Sequence, residues 1–173
     1  MTEINLTIRE ALPTDAEQLL ALMDQVGSES EFLVMDEQGL QLSPELLAHE
    51  LAAILESSNN SLLVALDGEQ LIASASLRAS SEKRVAHIGE LGISIVKAYW
   101  GLGLGTILVE ELLLWAEESQ VLRRIELTVQ KQNTRAVHLY QKFGFETEAV
   151  MARGARGDDG RFLDVLLMSR MID

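Results

Sequence analysis

The 173-residue sequence contains no cysteine, and that absence removes several kinds of site from consideration. Without thiols there is no disulfide framework, no thiolate nucleophile and no cysteine-based zinc site. The three histidines, His49, His87 and His138, show no metal-binding spacing, so we expect no metal. A chain without cysteine also fits a reducing compartment.

Long apolar runs are missing as well. No run approaches the length of a membrane span, so we expect no membrane partner. The N-terminal segment MTEINLTIRE has neither a basic start nor an apolar stretch, which argues against a signal peptide. We therefore expect a cytoplasmic protein, and the length of the chain fits a single domain over residues 1–173.

Basic residues are scarce in the first half of the chain. Residues 1–77 hold one base, Arg9, and fourteen acids, whereas residues 78–173 hold thirteen of each, so the net charge of −13 comes entirely from the first half. Such a chain lacks the basic surface of a nucleic-acid-binding protein. The acidic half is either a solvated face that aids solubility or a surface that meets a cationic partner.

The hydrophobic pattern predicts an α/β protein with a mixed sheet and helices on its faces. Apolar segments predict strands at residues 4–9, 61–66, 70–78, 86–96, 124–129, 145–152 and 162–170. Helices are predicted to begin near Thr14, at Ser43, after a glycine-rich turn and at Asn133. The predicted order is β-α-α-β-β-β-α-β-α-β-β. Residues 28–42 are predicted to be irregular, Asp67-Gly68 to form a hairpin turn and Gly144 to end the last helix.

Three glycines, Gly101, Gly103 and Gly105, lie between a predicted strand and a predicted helix. A helix N-terminus offers unpaired N–H groups and a positive dipole end, and glycine lets the backbone approach a phosphate closely. Thr106 and Val121 break the dinucleotide fingerprint, and no Gly-Lys pair is present for a P-loop. The turn is therefore either a cradle for a pyrophosphate that is bound but not attacked, or a device for tight strand–helix packing.

Two segments together resemble the GNAT superfamily of acyl-CoA-dependent N-acyltransferases. Residues 100–105 (WGLGLG) are similar to the superfamily's pyrophosphate loop, Gln/Arg-x-x-Gly-x-Gly/Ala. Its Asn-x-x-Ala-x-x-Leu-Tyr-x-x-x-Gly-Phe helix is matched by Asn133, Ala136, Leu139, Tyr140, Gly144 and Phe145. The predicted element order fits the family's fold, a mixed and mostly antiparallel sheet flanked by helices, over nearly the whole chain. Trp100 and Leu102 depart from the pattern, because polar or basic residues are common at both positions.

The resemblance implies which residues hold the acyl donor, acetyl-CoA. The pantetheine arm is expected in a gap between two strands, bonded to the backbone of Ile93, Ile95 and Val96. An N–H near Ile95 would polarise the thioester carbonyl. The other expected contacts with the donor are Trp100, Gly101, Leu102, Gly103, Leu104, Gly105, Thr106, Asn133, Arg135 and Tyr140. Trp100 either stacks on the ligand or packs at the core or rim, and Arg135 is either a phosphate contact or a solvated cation.

Two side chains are predicted to handle protons. Transfer to an amine requires the ammonium to lose a proton and the departing thiolate to gain one or be stabilised. By resemblance, Glu90 is the general base and Tyr140 the acid on the thiol side. The alternatives are an ordinary exposed strand acid and a half-buried helix aromatic. Because cysteine is absent, we expect direct attack within a ternary complex.

The predicted function is N-acetylation of a primary amine of a small molecule or an amino acid. The resemblance is loosely to the branch of phosphinothricin and amino-acid acetyltransferases. It places the acceptor pocket at the first two helices, where the acidic excess favours a cationic acceptor. Two alternatives stay open, a protein N-terminal acetyltransferase and a non-catalytic acyl-CoA-binding sensor. Many relatives dimerise, so a homodimer is expected.

Overall fold

The computed structural model describes residues 3–30 and 42–173, which form seven strands, four helices and two short 3-10 turns. The strands are β1 (Leu6–Glu10), β2 (Ser61–Asp67), β3 (Gln70–Arg78), β4 (Ile88–Ile95), β5 (Arg124–Gln130), β6 (Glu146–Arg156) and β7 (Phe162–Met171). The helices are α1 (Ala16–Glu29), α2 (Pro44–Glu56), α3 (Leu104–Ser119) and α4 (Thr134–Lys142), and the turns are Pro13–Asp15 and Lys97–Tyr99. Strands and helices follow the predicted order.

All seven strands join one sheet in the order β1-β2-β3-β4-β5-β7-β6. Strands β4 and β5 run parallel, and every other neighbouring pair is antiparallel. This confirms the predicted mixed, mostly antiparallel sheet. Helices α1, α2 and α3 pack against strands β2, β3 and β4, so the middle of the sheet is covered.

The core lies along the central strands and α3. The first six residues of β2 are all buried, which explains why this strand reads as a continuous apolar run rather than an alternating one. Helix α3 buries Leu104, Leu108, Val109, Leu112, Leu113 and Ala116 at helical spacing. Packing of that stripe fixes the helix, and so fixes the glycine-rich loop at its N-terminus. Within the described ranges, no helix combines the length and the apolar character needed to cross a bilayer.

The start of α1 lies later than predicted. Pro13 opens a 3-10 turn, and α1 itself begins at Ala16. Asp15 is buried in that turn, where it accepts two hydrogen bonds from Arg9, of 2.7 and 2.9 Å, and one of 2.7 Å from the N–H of Leu12. The hydrogen bonds from Arg9 lower the pKa of Asp15 below its ordinary value. The carboxylate thus ties the turn to β1 instead of capping the helix.

The segment predicted to be irregular, residues 28–42, is described only in part. Residues 28–29 belong to α1, which continues through Gly27 and ends at Glu29. Val26 and Gly27 are buried against the core, so packing outweighs the low helix propensity of glycine. Residues 31–41 lie outside the described residues.

The last hairpin extends further than the strand predicted over residues 145–152. Strand β6 continues to Arg156, and two register shifts interrupt its pairing with β7. At the second shift Arg153 adopts a left-handed backbone with φ of 56°, and a Cβ on Gly154 would lie 2.7 Å from the Cβ of Val165. A bulge of this kind breaks the alternation of side chains between the two faces of the sheet. The alternating pattern therefore predicted a strand that ends at residue 152, short of the observed end at Arg156.

Candidate active site

Strands β4 and β5 pair over three residues and then separate. The paired residues are Ile88 with Arg124, Gly89 with Ile125 and Glu90 with Glu126. A Cβ on Gly89 would lie 3.2 Å from a methyl carbon of Ile125, so a larger residue there would require that side chain to shift. Beyond Glu90 both strands continue without pairing to each other. The sheet therefore contains a gap that opens immediately after Glu90.

The backbone of β4 supplies polar groups to this gap. The N–H of Val96 donates to the carbonyl of Ile72 at 3.1 Å, and facing pairs in an antiparallel ladder alternate between bonded and non-bonded. By that alternation the N–H and C=O groups of Ile93 and Ile95 point away from β3, into the gap. This placement suits the predicted pantetheine contacts. At Val96, where a contact was also predicted, the N–H already donates to Ile72 and the carbonyl accepts a bond of 3.0 Å from the N–H of Tyr99.

The glycine-rich loop forms an open cradle at the N-terminus of α3. Gly101 and Gly103 have φ of 78° and 82°, a left-handed backbone that favours glycine, and Gly103 is the N-cap of α3 with no side-chain cap. The N–H groups of the first turn are thus free for an anion. A Cβ on Gly105 would lie 3.3 Å from Leu139, so this glycine also lets α3 approach α4 closely.

One cation lies directly at the cradle. The Nη2 atom of Arg135, on the first turn of α4, is 3.2 Å from where a Cβ on Gly101 would stand. This position suits a phosphate contact better than a distant solvated cation. Leu102 points outward, with 58% of its surface exposed, and does not line the cleft described next.

The gap and the loop open into one cleft of about 1180 Å³. Most of the predicted site residues line it, namely Glu90, Ile93, Ile95, Trp100, Gly101, Gly103, Leu104, Gly105, Thr106, Asn133, Arg135 and Tyr140. They come from three separate segments, namely β4, the glycine-rich loop with the start of α3, and α4 with its N-cap. A volume of this size accommodates a large ligand together with a smaller one.

The other end of the cleft lies at the first two helices, as expected for the acceptor pocket, but apart from Glu90 the sequence reasoning did not name its residues. Its wall is built by α1 and α2 and includes Leu20, Met23, Asp24, Leu47, Glu50 and Ile54. Its floor consists of three facing pairs of β3 and β4, which are Ser74 with Ser94, Ser76 with Gly92 and Arg78 with Glu90. The sequence could have revealed the floor, because successive side chains of a strand point to opposite faces. Ser74, Ser76 and Arg78 therefore lie on one face of β3.

Arg78 and Glu90 face each other at the end of this floor without forming an ion pair. Within the described ranges neither side chain makes a hydrogen bond or a salt bridge, and both are exposed to the cleft. Two opposite charges on facing strands, each unpaired, leave a cation and an anion free for a ligand that carries both signs.

Tyr140 lies on α4, on the opposite side of the gap from the floor residues of β3. Asn133 caps this helix as predicted, since its side chain accepts a 3.3 Å bond from the N–H of Ala136. Gly144, with φ of 87°, ends the helix as predicted. The ring of Tyr140 packs edge-on against Phe145 at 5.8 Å between centroids, and burial raises the pKa of the phenol to about 12.

Trp100 lies half-buried at the rim of the cleft, one of the two places proposed for it. Its indole N–H donates a 2.8 Å hydrogen bond to the carbonyl of Ile95, and the Nζ of Lys97 lies 5.9 Å from the ring centroid. In the described part of the chain, no group of three or more histidine, aspartate or glutamate side chains could hold a metal ion.

Comparison with known proteins finds acetyltransferases among both the sequence relatives and the solved structures. A family model described as the acetyltransferase (GNAT) family matches residues 29–145, which include the glycine-rich loop and all of α4. The L-amino acid N-acetyltransferase AaaT from Escherichia coli (strain K12) is 26% identical over 110 residues, which make up 64% of this chain and 67% of that protein.

Solved structures resemble the whole chain. The crystal structure of an acetyltransferase of the GNAT family from Streptococcus pneumoniae is 42% identical, covers 98% of this chain and 100% of its own, and superposes with a TM-score of 0.93. A phosphinothricin acetyltransferase from Sinorhizobium meliloti, in complex with acetyl-CoA, is 20% identical with a TM-score of 0.82, over 98% of this chain and 89% of that chain. At that identity the second likeness concerns the fold alone.

Proposed function

The chain belongs to the GNAT family of acetyltransferases, and from that premise we propose that it acetylates the primary amine of a small acceptor that also carries a carboxylate. The acyl donor is acetyl-CoA, and the acceptor class is that of an amino acid. One observation carries the proposal: Arg78 and Glu90 lie on facing strands of the cleft floor, and neither side chain has a partner among residues 3–30 and 42–173.

The residues present fit acetyl-CoA. The gap offers backbone donors and acceptors at Ile93 and Ile95, and the loop offers free N–H groups, where a Cβ on Gly101 would crowd Arg135. Arg135 and the first turn of α3 would hold the pyrophosphate, and β4 the pantetheine arm. When bound, this donor supplies an acetyl group activated as a thioester. The N–H groups of Ile93 and Ile95 are aimed into the gap, and one of them would then stabilise negative charge at the thioester oxygen.

The acceptor end of the cleft favours a zwitterion over a simple cation. Asp24 and Glu50 bring negative charge to the wall and Glu90 brings it to the floor, which attracts an ammonium group. Arg78 adds a planar cation suited to a carboxylate. In an α-amino acid the ammonium and carboxylate groups are separated by one carbon, a spacing that adjacent opposite charges can meet. The apolar wall residues, such as Met23 and Leu47, would receive the side chain.

Glu90 is proposed as the general base. It lies at the point where β4 and β5 part, so it faces both the acceptor floor and the mouth of the gap. An ammonium must lose a proton before its nitrogen can attack, and Glu90 would accept that proton directly or through one water. The resulting neutral amine is then held beside the gap by the contact between its carboxylate and Arg78.

Tyr140 is proposed to stabilise the leaving sulfur. With a pKa of about 12 the phenol stays protonated over the whole working range of pH, so it always has a hydrogen to donate. Thiols have a pKa near 8.5, well below that of this phenol, so complete transfer of the proton to sulfur is unfavourable. Tyr140 therefore acts mainly as a hydrogen-bond donor to the thiolate as it departs.

The test is a thiol-release assay with acetyl-CoA and a matched panel of amines. Because the chain has no cysteine, the protein itself contributes no thiol signal. The panel pairs each L-amino acid with its amide and with the amine that lacks the carboxyl group. It also includes polyamines and short peptides with free N-termini. We expect turnover with amino acids, and rates at least about tenfold lower for the amides, since a neutral amide forfeits the charge-assisted bond to Arg78.

The variant Arg78→Met identifies the carboxylate contact. We expect it to raise KM for the amino acid about tenfold or more and to leave KM for acetyl-CoA unchanged. Arg84→Met, in the turn before β4 and absent from the cleft lining, is the matched control. Equal rates for acids and amides would refute the carboxylate contact, and a preference for peptides would favour the N-terminal acetyltransferase. Binding of acetyl-CoA without turnover of any amine would favour the sensor.

A homodimer is proposed alongside this activity. The edge strand β6 and its neighbour expose apolar side chains, with Val150 at 52%, Phe162 at 59% and Met171 at 52% exposure. An unpaired edge strand beside apolar residues favours association. Light scattering after gel filtration should give twice the chain mass of 19.1 kDa, and a mass of one chain would refute the dimer.

A further inference from the structure

Two carboxylates face the cleft from helices α1 and α2. Asp24 on α1 and Glu50 on α2 both line it, and each has neighbours three and four residues away that line it as well. Residues at this spacing share one face of a helix, so both acids belong to the faces that look into the cleft. Other acids of the same helices, such as Glu17 and Glu56, are exposed and do not line it.

Neither carboxylate has a counter-charge within the described part of the chain. Neither forms a hydrogen bond or a salt bridge there. Residues 1–77 contain one base, Arg9, which is already bonded to another carboxylate at 2.7 Å. Strands β3 and β4 add one further base, Arg78, and it faces Glu90. Among the described residues, the acceptor end of the cleft therefore carries three carboxylates and one guanidinium.

This imbalance bears on the charge of the acceptor. The ammonium and carboxylate groups of an α-amino acid cancel each other, and Glu90 and Arg78 can match both. An acceptor with a neutral side chain then leaves Asp24 and Glu50 without a counter-charge in the occupied cleft, which is unfavourable. A second cation on the acceptor would supply that counter-charge.

A nearly buried hydroxyl points to the place of this second cation. Ser74 on the floor is 8% exposed, faces Ser94 across the ladder of β3 and β4, and lines the cleft. Its hydroxyl has no hydrogen-bond partner within residues 3–30 and 42–173, although buried polar groups are normally satisfied. Ser74 follows closely on Leu71, whose N–H donates a 3.2 Å bond to Gln18 of α1, so it lies at the α1 end of the floor.

The length of the floor indicates the length of the acceptor. Ser74 and Arg78 lie four residues apart on β3, which is about 13 Å along a strand. The facing pair between them, Ser76 and Gly92, is small and leaves the surface of the floor open. An acceptor held by its α-amino and α-carboxylate groups at one end therefore needs a long side chain to reach the other.

We propose that the acceptor is an α-amino acid with a long, unbranched, cationic side chain of the lysine or arginine type, and that Asp24, Glu50 and Ser74 form the subsite for its side-chain cation. This rests on the proposed function, which places the α-amine at Glu90 and the α-carboxylate at Arg78. The α-nitrogen receives the acetyl group, and the side-chain cation takes no part in the chemistry. The methylene groups pack on the apolar wall, as the stems of long cationic side chains do.

The first measurement compares cationic amino acids with neutral ones of similar length. Lysine is paired with norleucine and arginine with citrulline, in the thiol-release assay with acetyl-CoA. We expect kcat/KM to be about tenfold or more higher for each cationic member, because the neutral one forfeits charge-assisted hydrogen bonds. The preference should weaken as salt is added. The side-chain cation of 2,3-diaminopropionate is too close to its α-carbon to reach the subsite, so this acceptor should show no advantage over 2-aminobutyrate.

The second measurement removes the charges of the subsite. In the double variant Asp24→Asn, Glu50→Gln we expect kcat/KM for lysine to fall about tenfold or more, while the value for norleucine stays within about threefold. The KM for acetyl-CoA should not change. The double variant Glu17→Gln, Glu56→Gln is the matched control, since it removes two carboxylates of the same helices outside the cleft and should keep the preference. If the first double variant does not fold, its two single variants carry the same test.

Ser74→Ala tests the hydroxyl separately. The KM for lysine should rise about threefold to tenfold, and the KM for norleucine should stay the same. The melting temperature should not fall, because the hydroxyl has no partner to lose. An equal rise in KM for both amino acids would remove Ser74 from the subsite.

The product and the outcome in the parent protein decide the proposal. We expect Nα-acetyl-lysine, and Nε-acetyl-lysine would overturn the proposal because it would place the side-chain amine at Glu90. Equal rates for lysine and norleucine would overturn the subsite and leave the proposed function intact. A preference lost equally in the control double variant would attribute it to general charge and overturn the subsite too. Failure of every amino acid, neutral or cationic, would refute the proposed function itself.

Discussion

The two ends of the cleft are built by different means. The end proposed for the donor presents backbone, namely the polar groups of β4 and the N–H groups of the glycine-rich loop, with Arg135 beside the loop. The end proposed for the acceptor is lined by side chains from α1, α2, β3 and β4, among them Asp24, Glu50 and Arg78. The charge follows this division, since all of the net charge of −13 lies in residues 1–77.

This difference explains why one end follows a motif and the other does not. A backbone cradle favours glycines at fixed positions, because glycine adopts the left-handed φ without steric cost and leaves space for a phosphate. A side-chain pocket can be rebuilt from many residue types, so its composition depends on the acceptor. The acidic first half contributes at least Asp24 and Glu50 to the cleft, which supports an ammonium-bearing acceptor.

Glu90 lies where the two ends meet, so its substitution should have the largest effect. Glu90→Gln should lower kcat by about 100-fold or more at neutral pH, as expected for loss of a general base. Binding of acetyl-CoA should be unchanged by calorimetry. The deficit should shrink at high pH, where the amine is already deprotonated. Glu82→Gln, an exposed acid in the turn before β4, serves as the control. Parent-like turnover in Glu90→Gln would remove Glu90 from the mechanism.

Substitution of Tyr140 tests the proposed hydrogen bond to the leaving sulfur of acetyl-CoA. Tyr140→Phe should lower kcat by about tenfold to a hundredfold, because the thiolate loses a hydrogen-bond donor. The pKa of about 12 keeps the phenol protonated, so the shape of the pH–rate profile below about pH 10 should be the same in both proteins. A basic limb that disappears in the variant would show instead that Tyr140 titrates during the reaction.

A pair of glycine substitutions separates the cradle from general backbone strain. Gly103 and Gly68 both have left-handed φ, of 82° and 61°, and a Cβ on either would meet nothing within 4 Å. Each alanine variant should lose about 1 kcal/mol of stability. Only Gly103→Ala should also weaken acetyl-CoA binding, by about tenfold, because it distorts the N-terminus of α3. Equal affinities in the two variants would argue against a backbone phosphate site.

Substitution of Asp15 tests whether the stability of the protein at the edge strand β1 can be changed without changing ligand binding in the cleft. Asp15→Asn should lower the free energy of unfolding by about 2 kcal/mol, since it leaves Arg9 without its bidentate partner. Acetyl-CoA affinity should not change. Chemical denaturation of Asp15→Asn, Arg9→Gln and the double variant measures the pair directly, and additive losses would show that the two side chains do not interact.

The smallest effect concerns Glu148 on β6. Its carboxylate accepts two bonds from Arg124, of 2.6 and 2.8 Å, and one of 2.6 Å from Ser169, which together lower its pKa from about 4.5 to about 2. The folded pKa lies below the unfolded one, so the stabilisation is complete above the unfolded pKa and is lost as the pH falls from about 4.5 to 2. Denaturation at several pH values should show a flatter acid limb in Glu148→Gln, and an unchanged limb would contradict this.

The predictable part of the site was the part built on glycine and on helix termini. Gly103 and Asn133 are dictated by local geometry, one by a left-handed backbone and the other by an N-cap bond, so both could be recognised from spacing. Arg78 could not be recognised in this way, because the role proposed for it depends on facing Glu90 across a ladder whose register no local pattern encodes. The bond from the N–H of Val96 to Ile72 likewise depends on the register between β3 and β4, so it could not be foreseen from the sequence.

By itself, the sequence determined the family, the order of the strands and helices, and the place of the glycine-rich loop, because these depend on residue type and short spacing. Only the tertiary structure decided where β4 and β5 part, which charges on the floor are left unpaired and which carbonyl accepts the indole N–H of Trp100. Each of these depends on contacts between segments distant in the chain. Such contacts follow from packing and from ladder register, neither of which is encoded in any single segment.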